Sequence, residues 1–338
     1  MPVAKEKNNI MSLLKIMACV SVFVGHYCSF VRTTDFILKL RYGNGMARTF
    51  LTWFTQGDFG NIVFFVCSGF LISYFFVDRD TINRTIKYII KLLVPTIGII
   101  LITAFAFFVL SFIGDKSFIY EKLRKDLANV LFGGTIYYGT QLWYINTQIR
   151  GFIVCMLLQY VVKDKKTRTR YMFYITSTAL LLYIREYYFF CIAVGLIFGN
   201  LARDMYETTK NKAIRWCAIV VLFPLVPYIF SFYCNHWDDT FFSWGYIVVA
   251  TFFGLLLSMG VSVLKGKHKV IDIISSYTFS VYLVHMLVFN VYVKFRNFAN
   301  VMINGVLEFV LVLVATVVAA FIYEKLSKNA VNKIIKVL

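Results

Sequence analysis

Charge is what this sequence has least of for its size. Of its 338 residues only 15% are charged and 59% are hydrophobic, with a mean hydropathy of +0.71, whereas soluble globular domains carry about 25% charged residues. That composition cannot supply a water-exposed surface around an apolar core, so the chain reads as a polytopic membrane protein. Acidic residues are scarcer still, 17 against 35 Lys and Arg, for a net charge of +18. An excess of that size can mark a nucleic-acid binder, but the basic residues here fall in short clusters between apolar stretches and not on one solvated face. They are topology signals, and nucleic acid is not among the expected partners. Paired cysteine spacing is also missing. Cys19, Cys28, Cys67, Cys155, Cys191, Cys217 and Cys234 lie scattered in or beside apolar stretches with no C-x-x-C, which argues against disulfides and against a metal site. No small-residue cleavage site follows the first apolar run, so that run is expected to be an uncleaved span. Low-complexity segments, internal repeats and a soluble domain are not evident either.

What the sequence does contain is apolar runs of about the twenty residues that a membrane-spanning helix needs. They predict an all-α fold with about ten transmembrane helices, near 10–31, 59–78, 88–113, 141–162, 171–185, 187–202, 214–234, 244–264, 275–293 and 302–323. The fifth and sixth are short and meet at Arg185-Glu186; one long helix there would make the count nine. With ten spans, the termini and even-numbered loops hold 22 Lys and Arg and the odd-numbered loops 11, with Lys15 and Arg150 inside spans. The bias places both termini in the cytoplasm. The whole chain, 1–338, is expected to be one transmembrane domain. Residues 325–338, with Lys328, Lys333 and Lys336 among Ile and Val, read as a basic amphipathic tail lying on anionic lipid. The longest connections, 32–58 and 114–140, fall outside in this topology and suit a lid or a docking surface.

Ionisable groups inside spans are costly, rare and usually functional. Lys15 and His26 share the first span. The eleven positions that separate them come to about three turns, which puts both on one helix face about 16 Å apart along the axis. They read as two ends of a path through the bilayer, or as a snorkelling lysine and a histidine bonded to a neighbouring helix. In the second span the Ser68-Gly69 pair lets a backbone or a ligand approach closely. The fourth opens with Trp143, Asn146, Thr147 and Arg150 on one polar face, Arg150 about 12 Å inside. Glu308 in the tenth span lies at about the same depth, so a buried Arg150–Glu308 pair and a substrate role stand level. Tyr282 and His285 share a face of the ninth span near mid-membrane. Arg84, Lys87 and Lys91 precede Pro95 on the cytoplasmic side, where they satisfy the positive-inside rule and would also suit the phosphates of an anionic cofactor. A reagent supplied from inside and a substrate met from outside fits this asymmetry; so does a transporter that moves an acyl, amino-acid or lipid-linked sugar substrate without chemistry.

In order along the chain, Lys15 with His26 eleven positions on, Phe64-Phe65-Val66-Cys67-Ser68-Gly69-Phe70-Leu71-Ile72, the basic cluster before Pro95, Leu142-Trp143-Tyr144, and Tyr277 to His285 ending Tyr-Leu-Val-His form a pattern. It resembles that of the acyltransferase family 3 membrane proteins, bacterial sugar O-acyltransferases, over nearly the whole chain. The first motif of that family more often begins with arginine, and lysine keeps the charge but loses the planar fork. The resemblance implies a multi-pass protein of the bacterial plasma membrane. It would move an acetyl or other acyl group from cytoplasmic acyl-CoA, a co-substrate and not a resident cofactor, to a hydroxyl of a polysaccharide or glycolipid acceptor. His26 would be the base that activates the hydroxyl, or would carry the acyl group as an acyl-histidine. Lys15, Arg84, Lys87 and Lys91 would hold the CoA, and Ser68, Trp143, Arg150, Tyr282, His285 and Glu308 would line the acceptor side.

Overall fold

In a computed structural model, the residues described are 9–31, 57–75, 81–112, 120–132, 142–162, 165–184, 186–206, 239–260, 268–299 and 305–337. Among them all regular structure is helical. The helices are α1 (Asn9–His26), which continues as a π turn (Tyr27–Val31), α2 (Gly57–Phe75), α3 (Thr81–Ser111), α4 (Tyr120–Phe132), α5 (Trp143–Val162), α6 (Thr167–Tyr183), α7 (Tyr187–Tyr206), α8 (Asp239–Gly260), α9 (Lys269–Ala299) and α10 (Gly305–Val337). Five stretches of them are long and apolar enough to cross a membrane, Asn9–Val31, Thr85–Val109, Trp143–Val162, Lys269–Asn297 and Gly305–Lys336, and Phe59–Ser73 and Ile247–Gly260 are shorter apolar helices. The expected span at 214–234, the loop at 32–56 and Arg185 lie outside the described residues.

Several boundaries differ from those the apolar runs suggest. The ninth helix does not stop at 293 but runs to Ala299, and the last continues without a break through the basic tail to Val337. Helix α3 begins at Thr81, so the basic cluster lies on its first turns and does not precede it. The connection 114–140 contains a helix, α4. Its polar composition keeps it below any transmembrane threshold, yet Asp126 and Val130 are buried. Asn146 Nδ2 donates to the carbonyls of Asn129 and Val130 at 3.1 and 2.9 Å. Those bonds satisfy end carbonyls that α4 itself cannot. At the junction of α6 and α7 the Glu186 amide donates to the Leu181 carbonyl at 2.9 Å. Closure over five residues ends a helix, so 171–185 and 187–202 are two elements.

The chain divides into two compact units. The first comprises Met1–Gly25, Asp35–Thr81 and Arg150–Ser276. Its centre is the packing of α2 on α7, set by small residues. A Cβ at Gly69 would collide with the Ile192 carbonyl, one at Gly195 with the Val66 carbonyl, and one at Gly199 with Ser73 Oγ and the Phe70 backbone. Gly195 and Gly199 are four apart on α7, the G-x-x-x-G spacing that lets two membrane helices touch backbone to backbone. Gly60 does the same against Ala18 of α1. At one end of this packing Arg203 donates to the Ser73 carbonyl at 3.3 Å and to Asn200 Oδ1 at 2.9 Å, and Asp204 accepts from Arg170 and Tyr171, both at 2.8 Å.

The second unit comprises His26–Thr34, Ile82–Ile149 and Tyr277–Leu338. Tyr323 of α10 donates to the carbonyl of Pro95 in α3, and Ser280 of α9 donates to Glu324 of α10. The rest of α10 exposes Val306, Leu307, Val310, Leu311, Val314, Val317, Val318, Phe321 and Ile322, an apolar surface suited to hydrocarbon. Its buried face repeats at Glu308, Val312, Thr316, Ala320, Tyr323 and Ser327, the helical period.

Where a Cβ would meet backbone, the helices must separate to admit it; where it would meet a side-chain tip, the tip can turn. Gly69→Ala and Gly195→Ala are therefore expected to destabilise the protein by about 2–3 kcal/mol, the range of core overpacking, measured by unfolding in detergent. Gly151→Ala, whose Cβ would meet Ile192 Cδ1, is expected to cost clearly less.

Candidate active site

Two histidines meet in the second unit. His26 ends the α-helical part of α1 and is partly exposed, while His285 sits within α9 and is 1% exposed. His26 Nδ1 lies 2.7 Å from His285 Nε2, and the two rings are parallel within 6°. The other nitrogen of His285, Nδ1, lies 2.7 Å from the Tyr282 carbonyl and 3.3 Å from that of Val281. A carbonyl can only accept, so His285 Nδ1 carries the hydrogen. In the neutral ring Nε2 is then the acceptor, and the hydrogen between the two rings belongs to His26 Nδ1. The unshared pair of His26 sits on Nε2, directed away from His285.

The neighbours of the pair are aromatic. Phe30 stands edge-on to His26, Phe289 edge-on to His285, and Tyr27 edge-on to both Phe289 and Phe309. Tyr282 packs on Tyr144 at 5.2 Å between ring centroids, and Trp143 meets Tyr144 edge-on. An apolar enclosure of this kind strengthens each hydrogen bond within it. Tyr282 therefore serves the pair through its backbone carbonyl as much as through its ring.

Glu308 is 1% exposed and has its partners within the second unit. Arg296 Nη1 donates to Glu308 Oε1 at 2.8 Å and Tyr292 OH donates to the same oxygen at 2.9 Å. Depth along the spans did not point to Arg296, which is not in a loop: the extra turns of α9 carry it to Glu308. Arg150 is exposed, belongs to the first unit and stacks its guanidinium over Phe189. Neighbouring polar groups of its sequence face are used structurally, Asn146 on α4 and Thr147 Oγ1 on the Trp143 carbonyl at 3.1 Å.

The second unit thus brings together His26, His285, Tyr282 and the Arg296–Glu308 pair. Lys15 and Ser68 belong to the first unit. Lys15 is partly buried, and Ser68 is buried with its hydroxyl on the Phe64 carbonyl at 2.8 Å. Lys87 and Lys91 are exposed on α3. Arg84 lies on the same helix with its side chain outside the described residues. Arg296 and Tyr292 were missed in the sequence; their signal was the spacing of four, which puts them on one helix face.

A buried histidine bonded to a partly exposed one, inside a helical membrane protein, leaves one imidazole nitrogen unshared, which is the geometry proton transfer requires. A family model described as an acyltransferase domain matches residues 8–325. The chain belongs to acyltransferase family 3, and is a membrane acyltransferase. No curated protein and no solved structure matches the chain.

A double-mutant cycle across Arg296 and Glu308 is expected to give a coupling of about 1–3 kcal/mol in stability, read from unfolding of purified protein.

Proposed function

We propose that this protein is a membrane-bound O-acetyltransferase. It would take an acetyl group from cytoplasmic acetyl-CoA and place it on a hydroxyl of a surface polysaccharide or lipid-linked sugar, in a bacterial inner membrane crossed about ten times with both termini inside. The observation that carries this reading is the oriented hydrogen-bond chain from the Tyr282 carbonyl through His285 to His26. A sugar hydroxyl is a poor nucleophile, and a neutral imidazole with a free Nε2 is the base it needs.

In the reaction so assigned, His26 Nε2 removes the hydroxyl proton as the oxygen attacks the thioester carbonyl. The imidazolium that forms keeps its Nδ1–H on the neutral His285, whose own Nδ1–H stays on the Tyr282 carbonyl. Collapse of the tetrahedral intermediate breaks the C–S bond, and the departing CoA sulfur takes the proton back from Nε2. The same nitrogen would be the nucleophile if the acyl group passed through an acyl-histidine. His285 is a positioning residue in either case: it holds one tautomer of His26, as the third member of a catalytic triad holds its histidine. Lys15, Arg84, Lys87 and Lys91 are assigned to the phosphates of CoA, where point charges suffice. Trp143, Tyr282 and Arg150 are assigned to the acceptor side together with Ser68.

Membranes carrying the wild-type protein are expected to transfer radiolabelled acetyl from acetyl-CoA to polysaccharide. His26→Ala should transfer none above background. His285→Ala should lose about 10²–10⁴-fold, the range of general-base catalysis, with little change in KM for acetyl-CoA. Full activity in a folded His26→Ala variant would rule the mechanism out.

A further inference from the structure

Directly after His26 the helix changes form. Tyr27–Val31 is a π turn, a rare and less favourable winding that occurs mostly as single turns at functional sites. Such a segment persists where its surroundings hold it, and Arg296 holds its last residue. Its Nη1, already on Glu308 Oε1, also donates to the Val31 carbonyl at 3.0 Å. Glu308 in turn accepts from Tyr292 OH, so side chains from α9 and α10 hold the guanidinium that reaches the residue ending the π turn.

Arg296 follows His285 by eleven positions on α9, about three turns, so both leave nearly the same face of that helix. Both also grip the same stretch of chain: His285 takes the His26 ring, and Arg296 takes the carbonyl five residues later. A guanidinium bound only to a backbone oxygen would be a partly buried charge without a counter-ion, and the buried Glu308 provides that charge.

We propose that Arg296, neutralised by Glu308, is a positioning residue that holds the π turn and thereby keeps the His26 ring in register with His285. This rests on His26 being the base. It removes Glu308 from the acceptor-contacting set and gives it a role in the catalyst's own geometry. The single variant Arg296→Met would strand a buried carboxylate and could fail to fold. The double variant R296M/E308Q avoids this: it leaves no unpaired charge, keeps an acceptor for Tyr292, and removes only the donor to Val31.

The test uses the full chain in nanodiscs. Hydrogen exchange of a peptide covering 27–31 is followed by mass spectrometry, alongside acetyl-transfer kinetics. Loss of a charged donor to a buried carbonyl is expected to raise exchange there about tenfold or more in R296M/E308Q, with exchange at 277–290 unchanged. It should lower kcat by about tenfold or more while KM for acetyl-CoA stays within about twofold. Arg296→Lys, which keeps a cationic donor, should recover part of both. Unchanged exchange at 27–31 would overturn the proposal, as would raised exchange with unchanged kcat, or a loss that falls on KM alone. If wild-type protein transfers no acetyl group, the acetyltransferase reading fails by itself, and the exchange data still decide whether Arg296 holds the turn.

Discussion

Everything assigned to this site depends on one hydrogen bond, that between His26 Nδ1 and His285 Nε2 at 2.7 Å. Two neutral imidazoles can share a hydrogen in either direction, and the directions are not equivalent chemically. With the hydrogen on His26 Nδ1, the base nitrogen of His26 looks away from its partner; with it on His285, His26 would spend its lone pair on the pair itself. The Tyr282 carbonyl breaks the tie, because it forces the hydrogen of His285 to Nδ1. A backbone oxygen cannot be protonated or titrated at any physiological pH, so the direction of the chain is built into the fold of α9.

The surroundings of the pair are arranged to keep that bond short. His285 is buried by Phe289 and Tyr282, and Tyr282 by Tyr144. Helix α10 is tied to α9 at two places, through Ser280 and Glu324 and through Arg296 and Glu308, sixteen positions apart on α10. It is tied to α3 through Tyr323 and the Pro95 carbonyl. Along most of its other surface α10 is apolar and exposed. Polar contacts in a membrane cost more to leave unmade than they contribute when made, so each such tie fixes the rotation of its helix about the axis.

Much of the helix content was legible because a membrane span is a long apolar run and little else can be. Where runs end was less so. The charged residues at 294–296 and 325–336 look like loops to a hydropathy reading, yet the helices continue through them, as Arg296 on Glu308 requires. Helix α4 escaped notice because its helical spacing of Leu123, Leu127 and Val130 is buried among Lys, Arg and Glu. The Gly195–Gly199 spacing was in plain view, but its use depends on the facing glycine, Gly69, more than a hundred residues away. Lys15, His26 and His285 stood out as costly groups in apolar helices. That His26 and His285 touch did not, since depth along a helix axis can be counted from sequence and the choice of neighbouring helix cannot. The partnership of Arg296 with Glu308 was hidden by the same gap.

The direct test of the tautomer assignment is nitrogen NMR of protein labelled with ¹⁵N-histidine. The chain has four histidines, and conservative His26→Gln and His285→Gln variants assign the two of interest. The account predicts that both rings, when neutral, carry hydrogen at Nδ1 and none at Nε2, with the shifted Nδ1–H of His26 lost in His285→Gln. Hydrogen found on Nε2 of neutral His26 would contradict it, because that nitrogen could then accept no proton from a hydroxyl.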